Sequence, residues 1–199
     1  MISEFGGASI DGSAYTDVVD LAGRSPGWLD TAVAAWPAYG LAIFALLMVL
    51  GWWQARRAGA VMAVTALAAP VVVVLAYGVD AVLKLVVRED RPCRSLHMRT
   101  LEACPAPGDW SFPGNHAAIA AATAVALVFV SRRLGAAVAA LAMAASRVWV
   151  GVHYPHDVAV GVLVGGLVAF AAMILSRRWA QTLARHLSAT VLRPLLAAL

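Results

Sequence analysis

Long apolar segments alternate along the chain with short polar or basic connections. A helix needs about 20 apolar residues to cross the hydrocarbon core of a bilayer, and the first apolar segment has that length. The pattern predicts five transmembrane helices, over residues 31–53, 60–87, 116–130, 136–150 and 156–175. The fourth is short, and the fifth carries Gly161 and Gly165 at the GxxxG spacing that is typical of helix contacts in membranes.

The two ends of the chain have a different pattern. Residues 15–24 combine an apolar side with polar positions, which predicts a short interfacial helix. Beyond Arg177, apolar residues recur at every fourth position, which favours a surface-lying amphipathic helix over a sixth span. We therefore predict an all-α, polytopic membrane helix bundle with interfacial N- and C-terminal helices, forming a single domain over residues 1–199.

Composition supports the membrane prediction. Of the 199 residues, 62% are hydrophobic and 13% are charged, whereas a soluble domain is about 45–50% apolar and about 25% charged. The net charge of +4 could indicate nucleic acid, but the chain has no basic run with interleaved aromatic residues, so nucleic acid is not an expected partner. Residues 1–30 lack the basic region and apolar core of a cleavable signal peptide.

The basic residues predict the orientation in the membrane. Five spans place eight arginines of the loops 54–58 and 131–135 and of the tail on one side, against seven lysines and arginines on the other. Three of those seven, Lys84, Arg91 and Arg147, belong to the candidate anion-binding clusters described below, so the first side is predicted to be cytoplasmic. The polar loop 88–115 then faces outward.

One cluster of ionisable residues follows the fourth apolar segment. Arg147, His153 and Asp157 lie within twelve residues at a membrane boundary, where ionisable groups usually serve a function. The spacing of four lets the Asp157 carboxylate reach the His153 imidazole and leave its other nitrogen as a base or nucleophile. The planar guanidinium of Arg147 can donate two parallel hydrogen bonds to a phosphate or a carboxylate. The alternative is a helix-end histidine capped by an aspartate, beside a snorkelling arginine.

A second cluster pairs two cations near the end of the second span. Lys84 and Arg91 are seven residues apart, so they share a face if the helix continues, and an anion between them would relieve their repulsion. Asp80, one turn earlier, is placed to hold the lysine. The alternative is a pair of snorkelling residues at a helix end.

A third cluster lies at the start of the third span. Gly114 and Asn115 suit an unusual backbone conformation, in which successive N–H groups at a helix start form an anion cradle. His116 lies at that helix start, ready to exchange a proton. The alternative is a plain Pro-Gly turn into a helix, but three such clusters at one membrane face favour a functional reading of all three.

The three clusters together resemble the three motifs of the type 2 phosphatidic acid phosphatase (PAP2) superfamily, in the same order. The matching stretches are Lys84-x6-Arg91-Pro92, Pro113-Gly-Asn-His116 and Ser146-Arg147-x5-His153-x3-Asp157. The segment Val-Gly-Val-His-Tyr-Pro and the small size are similar to the bacterial undecaprenyl-diphosphatase branch associated with bacitracin resistance. The middle motif departs from the usual Pro-Ser-Gly-His, because Gly114 replaces serine and Asn115 replaces glycine. We expect this change to alter rate or substrate preference without abolishing activity.

The resemblance implies a reaction and a role for each motif residue. His153 would attack phosphorus, Asp157 would orient it, and His116 would protonate the leaving oxygen and later activate water. The phosphate would be held by the side chains and backbone of Lys84, Arg91, Arg147, Gly114 and Asn115. Because three cations replace a metal and no carboxylate cluster suits Mg²⁺, neither a metal nor another cofactor is expected.

The expected substrate is a lipid-linked phosphate in the bacterial cytoplasmic membrane, reached from the outer side. The first hypothesis is hydrolysis of undecaprenyl diphosphate, or another polyprenyl diphosphate, to the monophosphate. The second is another lipid phosphate, such as phosphatidate, phosphatidylglycerophosphate or a prenyl-phosphosugar phosphate. A non-catalytic lipid-phosphate binder or transporter is a third hypothesis, against which the intact histidines and aspartate count, since binding alone needs only the cations.

Cys93 and Cys104, the two cysteines of the chain, both lie in the loop that is predicted to face outward. Disulfides persist outside the cytoplasm, and closing a loop this short stabilises by roughly 3 kcal/mol in the chain-entropy model. A disulfide between them is therefore predicted. The alternative is two free thiols near the membrane surface.

Overall fold

A computed structural model describes residues 10–131 and 137–197, which fold as seven α-helices and a short 3-10 turn. The helices are α1 (Gly12–Gly23), α2 (Gly27–Ala58), α3 (Ala60–Val87), α4 (Pro92–Ser95), α5 (Asn115–Val130), α6 (Ala137–Trp149) and α7 (Pro155–Ser188). The 3-10 turn covers Arg193–Leu195. Within these described residues no strand occurs, and the all-α prediction is confirmed.

Three helical segments are long and apolar enough to cross a membrane. They are α2, α7 and the segment Ala60–Ser95, of which α3 is the larger part. Helix α5 is apolar but has 16 residues, and α6 is described over 13. The polytopic membrane bundle is thus confirmed, while the crossing of the bilayer by α5 and α6 stays a prediction.

Helix α1 begins a turn earlier than predicted and is anchored in the protein interior. Tyr15 is fully buried, and its hydroxyl donates a hydrogen bond to the Gly151 carbonyl at 2.8 Å. Burial, with a smaller contribution from Tyr154, raises the pKa of Tyr15 to about 12, so the hydroxyl remains a neutral donor. The N-terminal helix is therefore fixed to the segment that carries the third sequence motif.

The tail after Arg177 does not form a helix of its own. Helix α7 continues unbroken to Ser188 and has 34 residues, which corresponds to about 51 Å, well over the roughly 30 Å of a bilayer core. Its last turns bury Ala180 and Ala184 against the beginning of α3. Between Arg177 and Ser188 the sequence contains no proline or glycine, and small residues continue to face α3, so nothing in this stretch ends the helix.

Helix α5 lies at the centre of the bundle and packs against α2, α3, α6 and α7. Most of its buried residues are alanines, which let neighbouring backbones approach closely. Gly161 and Gly165 of α7 are in contact with it, because a Cβ on Gly161 would lie 2.5 Å from the Gly114 carbonyl oxygen and one on Gly165 would overlap the Ala118 carbonyl. The predicted GxxxG contact is therefore the contact between α5 and α7.

The loop between α3 and α5 lies over the segment that joins α6 to α7. A disulfide connects Cys93 and Cys104, whose Cα atoms are 5.9 Å apart. The Glu102 N–H donates to the Val150 carbonyl at 3.3 Å, which attaches the loop to the end of α6. The loop is thus held at two points, by the disulfide within it and by backbone contact with its neighbour.

We predict that Gly165→Ala destabilises the folded protein. The added methyl group meets backbone atoms of Ala118, which cannot rotate away, and overpacking of this kind costs about 1–3 kcal/mol. The melting temperature in detergent should fall by several degrees. Gly166→Ala is the matched control, because a Cβ there has no neighbour within 4 Å. Equal melting temperatures for the two variants would contradict the close contact of α5 with α7.

We also predict that the unfolded, unreduced protein reacts with no thiol reagent. Both cysteines are bonded in the structure, so a maleimide should label neither under denaturing conditions and both after reduction. Mass spectrometry measures the number of labels. Two labels on protein that was never reduced would show that the loop lacks the disulfide.

Candidate active site

His153 lies in the short connection between α6 and α7 and is 2% exposed. The chain reaches it through Gly151, which has φ +83°, a backbone conformation that favours glycine. A Cβ on Gly151 would also overlap the Thr100 side chain. This sharp turn, which Tyr15 fixes by its hydrogen bond, directs the imidazole inward.

Asp157 holds one side of the His153 ring. Its Oδ2 lies 3.3 Å from His153 Nδ1 and accepts a hydrogen bond from the Tyr154 N–H at 2.8 Å. It also accepts one from the hydroxyl of Ser111, which is fully buried. Because a carboxylate only accepts, His153 must carry its proton on Nδ1, and Nε2 keeps its lone pair. Sequence reasoning assigned no role to Ser111.

His153 is neutral at physiological pH. Burial lowers its pKa to about 4, and the charges of Arg91 and Lys84 act in the same direction. The contact with Asp157 raises the pKa but does not outweigh the other effects. A buried neutral imidazole with its lone pair on Nε2 is the form that a nucleophile requires.

Arg91 lies on the Nε2 side of His153, with its Nη1 at 3.2 Å. Nη1 also donates to the Val152 carbonyl at 2.9 Å. Nε donates to the backbone carbonyl of Asp109 at 3.0 Å, and Nη2 donates to the Asp109 carboxylate at 2.9 Å. Burial raises the pKa of the Asp109 carboxyl, but the hydrogen bond and charge of Arg91 and the charge of Lys84 outweigh it and leave it below its usual value. The buried guanidinium is therefore paired with a charged carboxylate.

Lys84 points from the end of α3 towards the loop between α3 and α5. Its ammonium group donates to the Trp110 carbonyl at 2.9 Å. The prediction that Asp80 holds this lysine is wrong: both carboxyl oxygens of Asp80 are buried and have no hydrogen-bond partner among the residues that the structure describes. The lysine side chain extends towards the helix end, where its ammonium group bonds a loop carbonyl instead of the Asp80 carboxylate.

Arg147 is buried and forms a two-point ion pair with Glu102 of the loop between α3 and α5. The Nη1–Oε2 and Nη2–Oε1 distances are 3.0 and 3.4 Å. The arginine side chain is 6% exposed and the glutamate is 41% exposed, so the carboxylate covers the cation from the solvent side. Nε of Arg147 is buried without a hydrogen-bond partner in the described part of the chain. The cation therefore has a remaining donor for a further anion.

The start of α5 differs from the prediction in one respect. Gly114 has φ −82°, an ordinary extended conformation, and its N–H donates to the Asp157 carbonyl at 2.9 Å. That N–H is thus not available to a phosphate, and the predicted cradle is reduced to the first N–H groups of the helix, from Asn115 onward. A Cβ on Gly114 would lie 3.3 Å from the Asp157 carbonyl oxygen, so a larger residue here would be tightly packed against the start of α7.

His116, the second residue of α5, completes the site. It interacts electrostatically with Arg147, His153, Lys84 and Arg91. Within the described residues it makes no hydrogen bond, so its ring is available to a ligand. The structure therefore brings the predicted histidines, cations and aspartate into one cluster, with the Arg91 guanidinium at Nε2 of His153. The arrangement suits the binding and transfer of an oxyanion such as phosphate.

Comparisons with known proteins agree with the three motifs. The sequence profile of the PAP2 superfamily matches residues 63–181. The undecaprenyl-diphosphatase BcrC of Bacillus subtilis is 30% identical over 148 residues, which are 71% of this chain and 72% of that protein. An undecaprenyl-diphosphatase of Sulfolobus acidocaldarius is 36% identical over 104 residues, half of each chain. A decaprenylphosphoryl-5-phosphoribose phosphatase of Mycobacterium tuberculosis is 35% identical over 97 residues, about half of its length.

A solved structure shares the fold. It is the crystal structure of a transmembrane PAP2-type phosphatidylglycerolphosphate phosphatase from Bacillus subtilis, with a TM-score of 0.56 and 20% sequence identity. The similarity covers 85% of this chain and 86% of the other. At this identity the likeness concerns the fold alone.

Proposed function

Because this chain belongs to the PAP2 superfamily, we propose that it hydrolyses a polyprenyl diphosphate, with undecaprenyl diphosphate as first choice, to the monophosphate and inorganic phosphate. The family and the phosphatases among its relatives support the broader assignment as a membrane lipid phosphatase. The two undecaprenyl-diphosphatases among the relatives support the choice of substrate.

One observation carries the proposal: a neutral, buried His153 has Asp157 on Nδ1 and the Arg91 guanidinium at Nε2. In the first step, Nε2 attacks the terminal phosphorus as the bond from phosphorus to the bridging oxygen breaks. The imidazole becomes positively charged, and the Asp157 carboxylate stabilises that charge. In the second step, water attacks the phosphohistidine, the P–N bond breaks and inorganic phosphate leaves.

The cations bind the phosphate in this proposal. Arg91, Arg147 and Lys84 surround the site and neutralise the charge on the nonbridging oxygens. The substrate phosphate takes over contacts that the arginines make with Asp109 and Glu102. His116 gives a proton to the leaving oxygen and takes one from the attacking water. Since the three cations supply the charge neutralisation, the proposed reaction needs no metal.

The proposed location is the bacterial cytoplasmic membrane, with the site on its outer side. The positive charges of the predicted cytoplasmic loops support this orientation, and so does the disulfide in the loop over the site. A lipid tail then remains in the bilayer while its phosphate enters the site from the membrane boundary.

A second candidate substrate is another lipid phosphate. The relative from Mycobacterium tuberculosis acts on a decaprenyl-linked sugar phosphate, according to its name, and the structural neighbour is a phosphatidylglycerolphosphate phosphatase. The departure of Gly114 and Asn115 from the usual family motif adds weight to a change in substrate preference.

Phosphate release from a panel of lipids tests the proposal. We expect the purified protein to hydrolyse polyprenyl diphosphates faster than phosphatidate or phosphatidylglycerophosphate, to the same extent with EDTA present, and we expect His153→Ala to abolish release. His186→Ala, at an exposed position of α7, is the control and should behave as wild type. More than a few per cent of activity in His153→Ala would rule out the phosphohistidine, and inactivation by EDTA that Mg²⁺ reverses would rule out the metal-free reaction.

The pH dependence of kcat/KM tests the state of His153. The nucleophile must be neutral, and its lowered pKa keeps it neutral above pH 4 or so. Activity should therefore decline only as the pH falls towards 4, well below the ordinary histidine value of about 6.5. Rates are corrected for ionisation of the substrate, and protein returned from pH 4 to pH 7 must regain its activity. An acid limb centred between pH 6 and 7 would contradict a neutral, desolvated His153.

A further inference from the structure

His156, which sequence reasoning treated only as a helix start, is surrounded by three carboxylates. Its Nδ1 lies 2.9 Å from Asp11 Oδ1, and its backbone N–H donates to the other Asp11 oxygen at 2.7 Å. Its Nε2 lies 3.2 Å from Glu89 Oε2 and 3.3 Å from Asp157 Oδ1. The three partners come from the segment before α1, the segment after α3 and α7 itself.

The geometry requires His156 to carry protons on both ring nitrogens. A carboxylate can only accept a hydrogen bond, and each nitrogen faces one, so each must donate. The ring is also fixed in orientation, since it stacks on Tyr154 with centroids 5.5 Å apart and contacts the Phe112 ring at 5.8 Å. His156 is therefore a fixed imidazolium cation.

The His156 cation compensates the negative charge of the Asp157 carboxylate. Asp157 is fully buried, and a buried carboxylate needs a compensating charge or several hydrogen bonds. His153 cannot supply the charge, because it is neutral before it attacks. Oδ2 of Asp157 takes the hydrogen bonds from Ser111 and the Tyr154 N–H, whereas Oδ1 faces His156. Oδ2 is therefore held by hydrogen bonds, whereas Oδ1 has no hydrogen-bond partner among the described residues and is compensated by the ionic contact with His156 at 3.3 Å.

Glu89 contacts both His156 and Ser111, which lie on opposite oxygens of the Asp157 carboxylate. Its carboxylate contacts His156, and its backbone carbonyl accepts the Ser111 N–H at 2.7 Å. Two groups that contact Asp157, the imidazolium and the serine, are therefore positioned by the same residue. Asp11 holds the opposite nitrogen of His156 and joins the N-terminal segment to the same network.

We infer that His156 is a positioning residue for the proposed phosphatase reaction, held by Asp11 and Glu89. Its cation keeps the Asp157 carboxylate charged and turned towards His153, so that the aspartate is ready to stabilise the positive charge that forms on His153 during attack. The inference rests on the proposed function for its effect on rate, but the doubly protonated state of His156 follows from the contacts alone.

Steady-state kinetics of His156→Gln test the effect on rate. We expect kcat to fall on the order of tenfold and KM to stay within about twofold, because the substituted side chain acts through Asp157 and does not touch the phosphate. His186→Gln is the matched control and should match wild type. A wild-type kcat in His156→Gln, or a loss confined to KM, would overturn the inference.

Asp11→Asn and Glu89→Gln provide a second measurement if His156→Gln folds poorly. Each keeps its volume and removes one charge that holds His156, so each should lower kcat by a smaller factor at unchanged KM. Combined with His156→Gln, neither should add a further loss, since residues that act through one network are not additive. Independent, multiplied losses would overturn the network.

Nitrogen-15 NMR of histidine-labelled protein in detergent tests the protonation state without any turnover. At pH 7 we expect a histidine with both ring nitrogens protonated, and its signals should disappear in His156→Gln. One protonated nitrogen at His156, or one equivalent of a divalent metal lost with His156→Gln, would overturn the inference even if the enzyme is active. An inactive wild-type protein with a doubly protonated His156 would instead refute the proposed function and leave the contact network in place.

Discussion

The close contact between α5 and α7 is the constraint on which the site depends. Gly161 and Gly165 bring the two backbones together, and the hydrogen bond from the Gly114 N–H to the Asp157 carbonyl joins the two helix starts. The positive ends of two helix dipoles therefore converge where His116 and Asp157 lie. That convergence favours both the buried Asp157 carboxylate and an incoming phosphate, so the packing of alanine and glycine residues sets the electrostatics of the site.

Two of the buried cations at the site form ion pairs with carboxylates. Arg91 is paired with Asp109 and Arg147 with Glu102, and both carboxylates lie on the loop between α3 and α5 and are partly exposed. A buried arginine without a partner would cost several kcal/mol, and the two ion pairs offset that cost. Because the acidic side chains remain partly solvated, a phosphate that replaces them leaves them in contact with water.

The sequence predicted those parts of the site that depend on local spacing. The positions of His153 and Asp157 four residues apart indicate their proximity without any knowledge of the fold. The helix on which Lys84 and Arg91 were predicted to share a face ends at Val87, so their place in the site depends on the loop that follows. Local spacing also misled, since Asp80 and Lys84 have the interval of a helical ion pair but the lysine bonds the Trp110 carbonyl instead. Spacing along a helix shows which contacts are within reach, and competition from the loop decides which one forms.

Contacts between segments that are distant in the sequence could not be predicted from local residue spacing. Ser111 bonds a carboxylate 46 residues away, and Asp11 bonds a histidine 145 residues away. Each partner looks like an ordinary polar residue at a helix end or in a loop, so only the fold shows that they surround Asp157. The same reasoning explains why α1 belongs to the site: Tyr15 bonds the Gly151 carbonyl and Asp11 bonds His156. A helix whose sequence pattern indicates only a membrane interface thus holds both ends of the segment that carries His153.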